Sequence, residues 1–304
     1  MLPRQSRVLE FWDRSKDLNV KNNEYQNLVK HLFGILLRSD IKKADLTTNS
    51  LIKRDKLISV AIVAKEDGVL AGFEEFLFLN RGFEIKPLKE DGDKIKNDEI
   101  IVKINGNARK ILSRERTSLN LLQRMSGIAT LTNKLRKKLN NNMQIAATRK
   151  TLWGSLDKKA VSIGSGLTHR LNLSDGILIK DNHLKMANYN FDNVLNFVKN
   201  KSKYVEIEVE NIKQALFAAT AMKKVSKNSK NIFAIMLDKI KPEVLKSIID
   251  ELKNKNFYDD VLLEASGNII PENIHKYSDC GADIVSMGCL TNSAKALNIS
   301  LEVI

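Results

Sequence analysis

Six short apolar runs in the second half of the chain, "MQIAAT", "GILI", "YVEIEV", "IFAIML", "VLLEA" and "ADIVSM", end in residues that can do chemistry. The first two close on cations, Arg149 with Lys150 and then Lys180 beside Asp181. The middle two close on carboxylates, Glu208 and Asp238, and the last two on Ser266 with Gly267 and on Gly288. A turn in water accounts for any one polar ending, but poorly for this ordering. Arg149, Lys150, Arg170 and Lys180 together would make a cationic wall for carboxylates or phosphates, and an arginine fork can grip a carboxylate through two hydrogen bonds. Glu208 and Asp238 would offer hard oxygen ligands to magnesium, directly or through water, or a counter-charge to a developing cation. "EASGN" and "SMGC" would present backbone N–H groups around Ser266, Gly267 and Gly288, a nest suited to phosphate. The set contains no obvious covalent nucleophile.

The four histidines divide by context. His31 lies in an apolar helical stretch and His275 in a late helix, and both read as structural. His183 follows "IKD" and could cap or orient that loop, a role the residues leave open. His169, in "GSGLTHR" beside Arg170, reads as a site residue.

Residues so far apart converge only if the runs are parallel strands with their C-terminal ends on one face. The strands start roughly 20–35 residues apart and alternate with amphipathic helices, the interval of βα units. That pattern indicates a parallel α/β barrel or an open doubly wound sheet, and periodicity does not separate them. Before the series, residues 24–37 carry helical apolar spacing, "LISVAIVAK" reads as a strand, "VLAGFEEFLFLNRG" as a helix ended by Gly82, and "FEIKPL" and "EIIVKING" as strands. These elements form a smaller α+β unit. A long helix from about Ala108 to Leu139 follows.

A chain of 304 residues, 43% hydrophobic, has enough apolar mass for a real core. No run approaches the roughly 18–20 apolar residues of a membrane span, and the first residues lack a secretory apolar core. Cys280 and Cys289 make neither a disulfide framework nor a CxxC pair, so a cytoplasmic protein is expected. The net charge of +14 attracts anions, with nucleic acid, acidic membrane and small polyanions as the classes to weigh. Nucleic-acid binding lacks support, because only 6% of residues are aromatic and no binding motif occurs.

The segments "ERTSLNLLQRMSGIAT", "ATRKT", "THRLNLSDGILIKDNH", "EIEVEN", "MLD", "LEASGNI" and "MGCLTNSAKALNISL" resemble quinolinate phosphoribosyltransferases, in order and near the family's spacing from about Gly68 onward. The resemblance implies an N-terminal α+β sandwich over residues 1–115, an incomplete α/β barrel over 116–289 and a tail, about 290–304, packed back on the first domain. It also implies a homodimer at least, in which Arg116 of the "ERT" segment enters the partner's site. The reaction would be transfer of phosphoribosyl from phosphoribosyl pyrophosphate to quinolinate with magnesium, giving nicotinate mononucleotide, pyrophosphate and carbon dioxide. Arg116, Arg149, His169, Arg170 and Lys180 would then bind quinolinate. Lys150, Glu208, Asp238, Ser266, Gly267, Gly288 and Asn292 would hold the donor, with Glu208 and Asp238 at the metal. The chain departs from the family at Asn292, where histidine is usual, at Leu152 and Trp153 for Thr-Pro, at Ser165 and Asn268 for glycines, and at Asn298 for aspartate. A competing reading keeps the enzyme class but takes nicotinate or another anionic heterocycle. Arg149, Arg170 and Lys180 together exceed what one carboxylate needs, which argues for two.

Overall fold

The structure, a computed structural model, describes residues 3–140 and 142–304. It divides into two compact units that interleave in sequence, one of residues 15–133, 151–165 and 290–304, the other of residues 3–14, 134–150 and 166–289.

In the first unit, strands β1 (Leu57–Ala64), β2 (Gly68–Val69), β3 (Glu84–Pro87), β4 (Lys94–Ile95) and β5 (Ile100–Asn107) precede a helix at Ala108–Arg136. β1 pairs antiparallel with β5 and with the C-terminal strand Ile299–Val303, and β3 joins the far side of β5. The tail therefore completes this sheet. Val60, Ile62, Ile101, Ile104, Phe73, Phe76, Leu119, Leu122, Leu297 and Ile299 fill its core. The expected helix over "VLAGFEEFLFLNRG" is shorter than its apolar pattern, running only from Phe73 to Leu79. Gly72 is left-handed (φ 84°), Val69 pairs with Lys94, and Asp91 accepts hydrogen bonds from the N–H groups of Phe73 and Glu74. A cap from a distant turn thus sets the helix start. The expected boundary at 115/116 falls inside the helix Ala108–Arg136, and the units divide near that helix's end.

The second unit holds β6 (Gln144–Ala146), β7 (Ile177–Ile179), β8 (Tyr204–Val209), β9 (Ile232–Asp238), β10 (Leu262–Ser266) and β11 (Ile284–Ser286). All pair parallel in the order β6-β11-β10-β9-β8-β7. That is the cyclic order of a barrel with the β6–β7 seam left open. The expectation of an incomplete barrel is borne out. Alternation sends Val205, Phe233, Leu263 and Val285 to one face and Tyr204, Ala234, Leu262, Ile284 and Ala146 to the other. Along the second face each strand passes from apolar to polar. The helix Arg4–Trp12, counted with the first domain in the sequence reading, packs Val8, Phe11 and Trp12 on the apolar part of this face. Arg4 anchors it through Asp283, at 2.6 and 2.7 Å. Among the described residues no helix is long and apolar enough to cross a membrane.

Close packing in the first unit gives a direct test. A Cβ on Gly127 would lie 2.0 Å from the backbone carbonyl oxygen of Lys295. Backbone cannot yield as a side chain does, so Gly127→Ala should cost about 3 kcal/mol or more. Urea unfolding would show it, and an unchanged midpoint would mean that the 295–297 segment is not held against the helix.

Candidate active site

The polar ends of the strands enclose a cavity of about 430 Å³. Such a volume suits a small-molecule site. Its lining includes Arg149 and Lys150 after β6, His169 and Arg170 from the loop before β7, and Lys180 after β7. Glu208 of β8, Asp238 of β9, Ser266 and Gly267 at the end of β10 and Gly288 after β11 complete the set predicted from sequence. Arg116 and Asn292 are exposed, belong to the other unit and are not among the lining residues. Asn292 accepts a hydrogen bond from Ser293 at 2.6 Å.

The loop carrying His169 and Arg170 is held from below. His169 has φ 54°, a left-handed backbone that costs a non-glycine residue energy. Its N–H donates to the carbonyl of Trp12 at 2.7 Å, and Thr168 Oγ1 accepts from the N–H of Arg14 at 2.8 Å. Arg14 also grips Asp175 at 2.8 Å, and Asp175 in turn accepts from the N–H of Leu171. The N-terminal helix thereby fixes the loop.

Both ring nitrogens of His169 are engaged within the protein. Nδ1 accepts from the N–H of Arg170 at 2.8 Å, so Nε2 carries the hydrogen and faces Glu264 at 3.0 Å and Glu206 at 3.5 Å. His169 therefore shapes the cavity floor and positions Arg170. His169, Glu206 and Glu264 are close enough to suggest a metal centre, but a protonated Nε2 has no lone pair to give.

Glu264 is wholly enclosed, at 0% exposure. Burial opposes its charge, yet His169 and hydrogen bonds from His169, Ser286 and Glu206 hold it below the ordinary carboxylate range. Glu206, 2% exposed, moves the other way: burial first, then the charge of Glu264 and their shared hydrogen bond, raise it well above that range. One proton thus stays on Glu206. Ser286 spends its hydrogen on Glu264, so Ser266, 2.9 Å from Ser286, donates to it and turns lone pairs to the cavity.

Above this floor, charge is arranged by sign. Arg170 is lowered by burial and by the neighbouring charge of Arg149, two cations whose repulsion an anion would relieve. Glu208 is raised by burial and by the charge of Asp238, against which the charges of Lys180 and Lys239 act. Gly267 (φ 81°) keeps this corner open, since a Cβ there would stand 2.5 Å from Asp238 Oδ1. The pair fits a divalent cation by donor chemistry, two hard carboxylates lining one cavity.

Sequence reasoning passed over Thr148, Glu206, Lys239, Glu264 and Ser286. Period two would have found three of these, because Glu206, Glu264 and Ser286 each precede a named residue by two positions on the same face. His183 caps the loop, its Nδ1 accepting from the N–H of Lys180 at 2.9 Å. Asn268 (φ 57°) and Ser165 (φ 69°) occupy left-handed positions that glycine would take without strain. Leu152 and Trp153 donate their N–H groups to Asp157, and Asn298 donates its own to Glu66.

Because Glu206 keeps a proton that the unfolded chain releases above about pH 4.3, its contribution to stability falls as pH rises from there to its raised folded value, by at most about 1.4 kcal/mol per pH unit. Glu206→Gln carries its hydrogens permanently. The variant should gain on the wild type across that window in urea melts. Midpoints that run parallel between pH 5 and 7 would mean that Glu206 is ionised in the fold.

Comparison with known proteins agrees over nearly the whole chain. Residues 45–126 match the quinolinate phosphoribosyl transferase N-terminal domain and residues 128–302 its C-terminal domain. A Methanothermobacter thermautotrophicus protein named "Probable nicotinate-nucleotide pyrophosphorylase [carboxylating]" is 38% identical over 278 residues, covering 88% of this chain and 96% of that one. The Arabidopsis thaliana chloroplastic nicotinate-nucleotide pyrophosphorylase [carboxylating] is 36% identical over 279 residues, covering 85% and 78%. The solved structure of the nicotinate-nucleotide pyrophosphorylase from Francisella tularensis matches with a TM-score of 0.78 at 31% identity, covering 91% of this chain and 96% of that one. With both family domains matched in order and the two-unit fold shared, the chain belongs to the quinolinate phosphoribosyltransferase family.

Proposed function

We propose that this protein transfers the phosphoribosyl group of phosphoribosyl pyrophosphate to quinolinate with loss of carbon dioxide, yielding nicotinate mononucleotide and pyrophosphate for NAD synthesis. The observation that carries the reading is one cavity lined by the cations Arg149, Arg170 and Lys180 together with the carboxylates Glu208 and Asp238. Two adjacent carboxylates on a flat ring suit the cations, and the arginine forks fix the ring's plane and direction. Lys150 adds charge for the donor's phosphates. The N–H groups around Gly267 and Gly288 serve them too, while the lone pairs of Ser266 accept from a sugar hydroxyl.

The ring nitrogen displaces pyrophosphate from the sugar carbon, which takes on oxocarbenium character as the bond breaks. Glu208 and Asp238 face that charge and would hold magnesium, which when bound supplies neutralising charge to the departing pyrophosphate. Once alkylated, the nitrogen's positive charge stabilises the electron pair left on the adjacent ring carbon as its carboxylate departs as carbon dioxide, and a proton from water then takes up that pair. Glu264 and Glu206, below, hold the geometry of His169 and Ser286 without meeting the substrate charge directly. The site then works by positioning and fixed charge.

The working unit is a homodimer in which Arg116, exposed and apart from its own chain's cavity lining, completes the partner's site, and the enzyme acts in the cytoplasm. The two thiols support that compartment, Cys280 and Cys289 both being raised by burial and so kept unreactive.

Purified protein given quinolinate, phosphoribosyl pyrophosphate and magnesium should release nicotinate mononucleotide and carbon dioxide in equal amounts. Acceptance of nicotinate with no turnover of quinolinate would overturn the assignment. Lys180→Ala removes a charge-assisted contact worth about 1.5–3 kcal/mol, a loss of about ten- to a hundredfold in kcat/KM for quinolinate. Native circular dichroism with full activity would return Lys180 to the status of a surface lysine.

Subunit exchange tests Arg116. Arg116→Ala and Lys180→Ala homodimers should each be weak, whereas a mixed dimer has one site with both defects and one with neither. Random exchange of equal amounts makes about half the molecules mixed, so activity should recover to about a quarter of wild type. Activity that stays at the average of the parents after exchange proven by mass tags would place Arg116 outside the partner's site.

A further inference from the structure

Lys239 follows the last residue of β9 in a backbone state that lysine seldom adopts. Its φ is 57°, left-handed, and its N–H donates to the carbonyl of Ser266 at 2.9 Å. The neighbouring strand end is locked to it, since a Cβ on Gly267 would meet Lys239 N at 2.5 Å and Lys239 Cγ at 2.7 Å. The reversal folds the side chain back over the strand end. There Nζ stands 2.9 Å from Asp238 Oδ2, while the side chain as a whole is 59% exposed. Lys239 also lines the cavity, and its charge acts on Glu208 as well as on Asp238. An exposed lysine seldom gains much stability from a pair with its sequence neighbour, so stability does not explain why left-handed strain is tolerated here.

We infer that Lys239 is a resident cation of the acidic pair: its ammonium neutralises Asp238 in the empty enzyme and withdraws when a divalent cation arrives with pyrophosphate. The inference rests on the proposed reading of Glu208 and Asp238 as the metal pair. A tethered ammonium cannot be washed out, so the two carboxylates are never left facing each other uncompensated. It also competes with bare metal ions, because a divalent cation and the ammonium repel at the same oxygens. Pyrophosphate changes that balance by offering the ammonium its own oxygens, which lie a side chain's swing away. Lysine suits this role through its long flexible stem and compact charge. The order of loading then follows from charge: metal without pyrophosphate is disfavoured, and metal with it is admitted.

Manganese binding, followed by electron paramagnetic resonance on the whole protein, reads this without any turnover. Lys239→Met keeps the length and removes the charge, and should bind Mn2+ about tenfold more tightly than wild type. Lys239→Arg keeps the charge and should stay near wild type. Adding Asp238→Asn to Lys239→Met should abolish the gain, which ties it to this carboxylate. With inorganic pyrophosphate present, wild type and Lys239→Met should converge to within about twofold. Equal affinity for Mn2+ in wild type and Lys239→Met without pyrophosphate, including no measurable binding by either, would overturn the inference. A gain that survives Asp238→Asn would overturn it too. Neither result touches the assignment of quinolinate as substrate, which stands or falls with the product assay.

Discussion

A carboxylate with no access to water lies beneath the cavity, and the arrangement around it follows from the need to satisfy its charge. Leaving Glu264 unpaired would cost several kcal/mol, so every neighbour is committed to it. His169 gives it the Nε2 hydrogen, Ser286 a hydroxyl, and Glu206 a retained proton. Each commitment constrains something above. His169 must hold a left-handed backbone, which fixes Arg170, and Ser286 fixes which way Ser266 points. The floor carries no substrate charge itself, yet it sets the geometry of the groups that would.

The sign order of the strand ends follows from sheet topology. Because β6 neighbours β11 and β7 lies at the opposite edge, the cations after β6 and β7 flank the open seam, while the carboxylates of β8 and β9 stand together. A ligand bearing anions at one end and a developing cation at the other is matched by that order. Neutral small residues after β10 and β11 leave room for backbone donors.

Much of this was legible in the sequence, for a physical reason. A parallel strand buried on both faces reads as an apolar run, so its first polar residue marks the cavity rim, as at Lys180 and Asp238. The same rule hid Glu206 and Glu264, because a charge inside "VEIEV" or "LLEAS" reads as the solvated side of a half-exposed strand. Lys239 hid as the first residue of a loop, since backbone handedness has no signature in a lysine. The short helix at Phe73–Leu79 was overdrawn because its cap, Asp91, lies across a turn. The helix Arg4–Trp12 gave no sign of its packing partners, which are more than a hundred residues distant.

That last feature bears on how the chain is made. Val8, Phe11 and Trp12 leave the ribosome well before Leu262 and Ile284, which belong to the face they cover. At about 5–20 residues per second, the greasy side of this helix waits for more than ten seconds with nothing native to bind. The tail is similarly late, since Ile299–Val303 supplies an edge of a sheet whose other strands are long finished. Such contacts carry a large loop-closure entropy and slow the final collapse. A nascent chain of this design therefore shows a short aromatic-rich segment until its native cover emerges, and the sheet of the first unit is complete only once Ile299–Val303 joins β1.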